Sequence, residues 1–140
     1  MASKQLENLV ATRQLDVEPG TDEEVQNLLG SGSRRLLDAE NTTLSLESRF
    51  DLAYNAAHAL ALAALRHHGF RSSNRYVVFQ VLPHTLGIPN EQWRVLDSAH
   101  RKRNRAEYDG DFDVDEALVA AVIRVARALE AAVTALPPLG

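Results

Sequence analysis

The sequence predicts an all-α fold, an up-and-down bundle of five or six helices, and three observations support this prediction. Apolar residues recur every three or four positions through most of the chain, which is the helical period. The connections between the predicted helices are short, which favours antiparallel neighbours. The one run rich in β-branched and aromatic residues, "RYVVFQVL" at 75–82, also fits a helix. A length of 140 residues is expected for a single domain, residues 1–140.

Two helices are predicted before residue 40. The first covers about Ser3 to Leu15 and is followed by the Pro and Gly of "EPGTDEE". Thr21 followed by Glu24 is a capping-box pattern, so the second helix is expected to begin there. The "GSGS" at 30–33 is expected to break the second helix into two short pieces.

A long central helix is predicted from about Leu46 to His68, with Gly69 as its left-handed cap. It is apolar nearly all round and rich in Ala, which is typical of a helix that its neighbours approach closely. Its one polar stripe consists of Asp51, Asn55 and His58, which share a face because they are four and three residues apart.

Three further helices are predicted in the second half of the chain. The fourth is expected to be capped by Ser72 or Ser73 and to kink or end at Pro83. The fifth begins near Pro89 and runs to about Tyr108.

The last helix is predicted from about Val114 to Leu136, with Asp113 and Glu116 as its capping box. It shows the clearest apolar stripe of the chain, which consists of Leu118, Val122, Val125, Leu129, Val133 and Leu136.

Composition excludes several classes of function. The net charge is −4, so binding to nucleic acid through bulk charge is not expected, and any such binding requires a local basic patch. The chain has no Cys, which excludes disulfides and thiol chemistry. No signal segment and no apolar run long enough to span a bilayer is seen, so we expect a soluble cytoplasmic protein without a membrane partner.

Positive charge is concentrated in "AHRKRNRAEYDGD", residues 99–111, on the predicted fifth helix. At about 100° per residue, Arg103 falls within the apolar arc of this helix, whereas Arg101 and Arg105 lie on another flank. Two interpretations are open. In the first, Arg103 and Glu107 simply pair at spacing i,i+4, a contact of small energy. In the second, Arg103 faces a cleft or a dimer seam and binds phosphate, for which the planar guanidinium is well suited.

Two stretches, "SRFDLAYNAAHALALAALRHHGF" and "KRNRAEYDGD", resemble the HEPN superfamily of small bacterial helical domains. The resemblance covers roughly residues 45–135: a central Ala-rich helix, then an Arg-Asn pair followed closely by Tyr on a later helix. It implies a helical bundle that forms a homodimer. In active members it implies a metal-independent ribonuclease whose site lies in the dimer cleft.

The motif that carries ribonuclease activity in the family is only partly present. Arg103 and Asn104 match its first two positions, but the following His is absent, and Glu107 and Tyr108 occupy the positions where it is expected. Neither side chain titrates near neutral pH as an imidazole does. The resemblance therefore points to the non-catalytic members, which bind RNA or nucleotides or serve as partners of nucleotidyltransferases in toxin–antitoxin pairs.

Three hypotheses for function remain. The first is a binding domain that contacts RNA, a nucleotide phosphate or a partner protein. The second is a ribonuclease in which Arg103 acts with His100 or Glu107, and the third is a structural partner with no ligand. No metal site or cofactor is predicted, because the His spacings match no ligand motif. The candidate ligand-binding residues are Arg101, Arg103, Asn104, Arg105, Tyr108, Asp51, Asn55 and His58.

Overall fold

The computed structural model describes residues 4–110 and 114–139, without the side chains of 107–109. The elements in these residues are α1 (Lys4–Ala11), β1 (Asp16–Val17), α2 (Asp22–Ala39), α3 (Leu46–His67), β2 (Phe70–Arg71), α4 (Arg75–Gln80), α5 (Leu82–Thr85), α6 (Asn90–Asp109) and α7 (Glu116–Thr134). The predicted all-α bundle is confirmed. Seven helices are described instead of five or six, because the predicted fourth helix is two short helices.

The central position predicted for the third helix is confirmed. α3 contacts α2, α4, α5, α6 and α7. The side chain of Ser45 caps its first turn by accepting a hydrogen bond from the Ser48 amide, and Gly69 follows its end with a φ of 87°. Glycine enters this left-handed conformation without the steric cost that other residues have. Most alanines of α3 are fully buried, so neighbouring helices can approach its backbone on several sides.

The expected break of the second helix at "GSGS" is wrong, because α2 is continuous from Asp22 to Ala39. Gly32 is buried where α2 crosses α3, and a Cβ atom at this position would lie 2.6 Å from Leu60 Cγ and 3.3 Å from the Ala56 carbonyl oxygen. Glycine is therefore present here for close approach between two helices. The start of α2 agrees with the prediction, since the Thr21 side chain accepts from the Glu24 amide.

Replacing Gly32 with alanine is expected to destabilise the protein, although alanine is the better helix former. Adding atoms to a packed core costs about 1–3 kcal/mol of stability, and contacts shorter than 3 Å indicate a cost near the upper end of this range. The higher helix propensity of alanine recovers only about 1 kcal/mol. Gly30→Ala is the matched control, because its Cβ would meet only the flexible end of the Arg34 side chain. Urea denaturation should show a lower midpoint for Gly32→Ala and an unchanged or higher midpoint for Gly30→Ala.

A two-stranded antiparallel sheet, which the sequence did not predict, joins the N-terminal segment to the end of α3. β1 pairs with β2 in the register Asp16 with Arg71 and Val17 with Phe70. With two residues each, these strands are too short to show an alternating pattern.

The chain between α3 and α6 forms two short helices. α4 is capped by Asn74, whose side chain accepts from the Val77 amide, so the expected caps Ser72 and Ser73 are wrong. α4 ends at Gln80, and Pro83 lies in the first turn of α5. A proline is tolerated at this place because the first amides of a helix have no partner within it.

α6 and α7 complete the bundle and pack against each other. α6 begins after Pro89 and ends at Gly110, close to the predicted bounds. α7 is capped by the Asp115 side chain, which accepts from the Leu118 amide at 2.8 Å. The expected pair of Asp113 and Glu116 is therefore not the cap, and Asp113 itself lies outside the described residues. Four members of the predicted apolar stripe, Val122, Val125, Leu129 and Val133, are buried, and the other two are partly exposed.

Candidate functional site

Three residues predicted as candidates meet where α3 and α6 face each other. The Arg103 guanidinium carbon lies 5.2 Å from the ring centre of Tyr54 on α3. The Tyr54 hydroxyl lies 3.0 Å from Nδ1 of His100. His58 of the polar stripe and His100 both pack against the ring of Phe79 on α4, with ring centres 5.8 and 6.5 Å from it. Of the candidates on α3 and α6, His58, His100 and Arg103 therefore lie close together, whereas Asp51 is exposed.

Both ring nitrogens of His100 are engaged inside the protein. The Asn104 side-chain amide lies 3.3 Å from Nε2. An amide nitrogen can only donate, so Nε2 accepts, and in the neutral ring Nδ1 then carries the proton and donates to the Tyr54 oxygen. Tyr54 is fully buried. His100 therefore serves to link the buried phenol to the α6 surface, and neither nitrogen points to an open position.

Burial keeps the two histidines of this site neutral. Burial lowers the pKa of His58 to about 4, and the charges of Arg75, Arg103 and His100 lower it further. Burial also lowers the pKa of His100; Arg103 and Arg75 add to this effect, and Asp97 opposes it. At neutral pH the arginines therefore supply the positive charge of the site.

Sequence reasoning missed a second arginine and an aromatic residue, both at the start of α4. Arg75 donates to the Asn55 side-chain oxygen at 3.0 Å, and its guanidinium carbon lies 5.8 Å from the Tyr54 ring centre. The neighbouring Tyr76 is 37% exposed. Its ring centre lies 5.7 Å from those of both Trp93 and His100. The run "RYVVFQVL" fits a helix, but its period does not indicate which other helix its aromatic residues face.

We call this surface the aromatic face and define it by Tyr54, Arg75, Tyr76, His100 and Arg103. Its guanidinium groups converge on one buried ring, beside a second ring that is partly open to solvent. Such a set of groups can bind an anion and stack a planar group at the same place.

The other candidates lie elsewhere. Asp51 is exposed, and its backbone carbonyl accepts from Nδ2 of the Asn55 side chain at 2.9 Å. Arg101 and Arg105 lie on the far side of α6, where Lys102 joins them in lining a separate cleft with α7. The predicted α6 surface is therefore two surfaces. The side chains of Glu107 and Tyr108 lie outside the described residues.

Neither a metal-binding cluster nor a helix suited to a membrane is found in the described part of the chain. Among the described residues, no group of three or more His, Asp or Glu side chains is arranged to hold a metal ion. None of the helices in residues 4–110 and 114–139 combines the length and the apolar character that crossing a bilayer requires.

Comparisons with family models, with curated proteins and with solved structures return no match for this chain. Its function is therefore inferred from the contacts and charges of the aromatic face and of the separate cleft that Arg101, Lys102 and Arg105 line.

Proposed function

We propose that this chain is a non-catalytic, HEPN-like binding domain that acts as a homodimer and recognises single-stranded RNA or a nucleotide through the aromatic face. The observation that carries the proposal is the position of Arg75 and Arg103 over one buried ring, next to the partly exposed Tyr76. Arginine binds phosphate oxygens in pairs, and an exposed aromatic ring stacks on a base. Phosphate and base are the two parts that every nucleotide offers.

The chemistry of the histidines supports binding and not cleavage. A ribonuclease that works without metal needs a group that donates a proton near neutral pH. With a pKa of about 4, His58 carries almost no proton to donate at pH 7. His100 has both nitrogens in contact with Tyr54 and Asn104. The site thus offers cations and rings for binding, while its imidazoles are held in internal contacts.

The dimer and the partner in this proposal rest on the resemblance of "KRNRAEYDGD" and the helix before it to HEPN domains. Within that family, self-association and pairing with a nucleotidyltransferase both occur, so a partner of that class is proposed here as well. Light scattering over a range of protein concentrations measures the association, and a monomer at the highest concentration would contradict the dimer.

We expect the wild-type protein to bind a fluorescent single-stranded oligoribonucleotide in the presence of a chelator without cleaving it. Arg103→Ala and Tyr76→Ala should each weaken binding about tenfold, since a lost charged hydrogen bond or base stack is of that size. Fluorescence anisotropy gives the affinity, and a denaturing gel of the same samples shows whether the RNA is intact. Binding should also weaken as salt rises.

Arg34→Ala is the matched control, because Arg34 is an exposed arginine of α2, outside the aromatic face. Its affinity for RNA should equal that of the wild type. Equal losses in Arg34→Ala and Arg103→Ala would mean that only overall charge matters, and the proposed site would be wrong. If the wild type cleaves RNA and Arg103→Ala does not, the protein is a ribonuclease and the proposal of a non-catalytic binding domain is wrong.

A further inference from the structure

A second cationic surface lies on the opposite side of α6 from the aromatic face. Ser98, Arg101, Lys102 and Arg105 of α6 line a cleft of about 410 Å³, which Asp115 and Leu118 close from the α7 side. We call it the basic cleft. Arg101 and Arg105 are each two residues from Arg103, which is about 200° around the helix. No residue of the aromatic face lines this cleft, so a ligand bound here would be independent of one bound there.

Among the described residues that line the basic cleft are three cations and one carboxylate, and this balance of charge favours an anion. The carboxylate of Asp115 is engaged in capping α7, where it accepts from the Leu118 amide. Asp97, one turn before Arg101, holds the Arg101 guanidinium at 3.0 Å. That guanidinium has five N–H donors, and a single carboxylate leaves others for a ligand. The Arg101 side chain is 73% exposed, so its ion pair with Asp97 contributes little free energy. Arg101 can therefore also bind an incoming anion at little cost.

The donors of the cleft suit a phosphate group, because its terminal oxygens can accept from several donors at once. Two guanidinium groups can each bind two phosphate oxygens, while the ammonium of Lys102 adds a point charge and Ser98 a hydroxyl. Arg101 and Arg105 are four residues apart, so they lie one above the other on the same face of α6. The volume exceeds that of a phosphate alone and lies in the range of small-molecule sites.

We propose that the basic cleft is a second binding site, separate from the aromatic face, that takes a phosphomonoester group. A free nucleotide and the phosphorylated end of an RNA both carry this group. The dianion it forms near neutral pH offers three acceptor oxygens, which two arginines, a lysine and a hydroxyl can satisfy together.

The test is an NMR titration of the backbone amides with inorganic phosphate, adenosine 5′-monophosphate and adenosine. The two phosphates should shift the amides of Arg101, Lys102 and Arg105 and those at 115–118, and adenosine should not. The double variant Arg101→Gln/Arg105→Gln should bind phosphate at least about tenfold more weakly, because each arginine contributes charged hydrogen bonds. Arg105→Lys keeps the charge but loses the paired geometry, so an intermediate affinity is expected.

Two controls separate this site from the aromatic face and from overall charge. Arg103→Ala should leave the phosphate shifts at 115–118 in place even if it abolishes RNA binding, and Arg34→Gln should also leave them unchanged. Arg101 and Arg105 are both exposed, so their substitution should not disturb the core. The amide spectrum of each variant shows directly whether it is folded. A 5′-phosphorylated oligoribonucleotide that shifts the cleft when its 5′-hydroxyl form does not would identify an RNA end as a ligand.

Three results would overturn the proposal. These are the absence of shifts at millimolar phosphate, equal shifts with adenosine, and a double variant that binds phosphate as well as Arg34→Gln does. None of them bears on the aromatic face, because RNA binding by that face is measured with Arg103→Ala and Tyr76→Ala.

Discussion

Replacing Arg66 with alanine is expected to lower the free energy of unfolding by about 3 kcal/mol, because a buried guanidinium and all of its hydrogen bonds are lost. The Arg66 side chain is only 3% exposed. Its Nε and Nη2 atoms each donate to a Glu24 carboxylate oxygen at 3.0 Å. The other donors reach the backbone carbonyls of Glu18, Pro19 and Phe70.

These contacts account for all five N–H donors of the Arg66 guanidinium. They tie the end of α3 to the segment before α2 and to β2, so alanine would leave the Glu24 carboxylate and three carbonyls without this partner. Lysine is also expected to be destabilising, because an ammonium cannot reproduce the paired contact with Glu24. The hydrogen bond from Arg66, together with the charges of Arg66 and Arg71, lowers the pKa of the Glu24 carboxyl.

Urea denaturation measures the effect, and Arg71→Ala is the matched control. Arg66 also lies 3.1 Å from the Glu18 carboxylate, and Arg71 pairs with the same two carboxylates, those of Glu18 and Glu24, but the Arg71 side chain is 45% exposed. Exposed pairs contribute little, so Arg71→Ala should stay close to the wild type. If both variants lost stability equally, burial would not be the reason that Arg66 matters.

The local signals in the sequence predicted most of the fold. Thr21 caps α2 as its spacing from Glu24 indicated, and Gly69 ends α3 in a left-handed conformation. Both signals are contained in a few neighbouring residues. The wrong predictions have a different origin. Gly32 was interpreted as a helix breaker, but its reason is contact with Leu60, which is 28 positions away and belongs to another helix.

Cap residues of the same chemical type could not be told apart. Ser72, Ser73 and Asn74 are all good caps, and the structure uses Asn74. Asp115 caps α7 where Asp113 was expected, for the same reason. In a polar run, several residues satisfy the rule equally well, and the packing of the helix after the run decides which of them is used.

The candidate site was predicted in part. Among the candidates named from the stripe on α3 and from α6, His58, His100 and Arg103 lie close together, whereas Asp51 is exposed and Arg101 and Arg105 line a separate cleft. Arg75 and Tyr76 were missed because they stand at the start of a helix whose direction depends on the turn after Gly69. Tyr54 was missed as a site residue because it is fully buried, although it lies at the centre of the arginine and histidine contacts.

Lowering the pH from 7 to 4 is expected to cost about 3 kcal/mol of stability through His58 alone. Burial and three cationic neighbours lower the pKa of His58 from 6.5 to about 4. The unfolded chain therefore binds a proton more tightly than the folded protein. The stability that His58 contributes is complete above pH 6.5, and it falls as the pH drops through this range towards 4.

His58→Phe removes this titration while keeping a ring next to Phe79, whose ring centre lies 5.8 Å from that of His58. The free energy of unfolding of the variant, measured by urea denaturation at several pH values, should fall less steeply between pH 6.5 and 4. Glu24 also loses stabilisation at low pH, because its pKa is lowered in the folded protein. Glu24 contributes this loss equally in the wild type and in His58→Phe, so the difference between their two stability curves measures the effect of His58.

His84→Phe controls for the loss of a histidine as such, because the His84 side chain is exposed. Its curve should follow that of the wild type, and the His58→Phe curve should separate from both as the pH falls. Parallel curves for all three proteins would show that His58 accepts its proton without penalty in the folded state. His58 would then add a positive charge beside the aromatic face at mildly acidic pH, and the argument that burial keeps this imidazole neutral would fail.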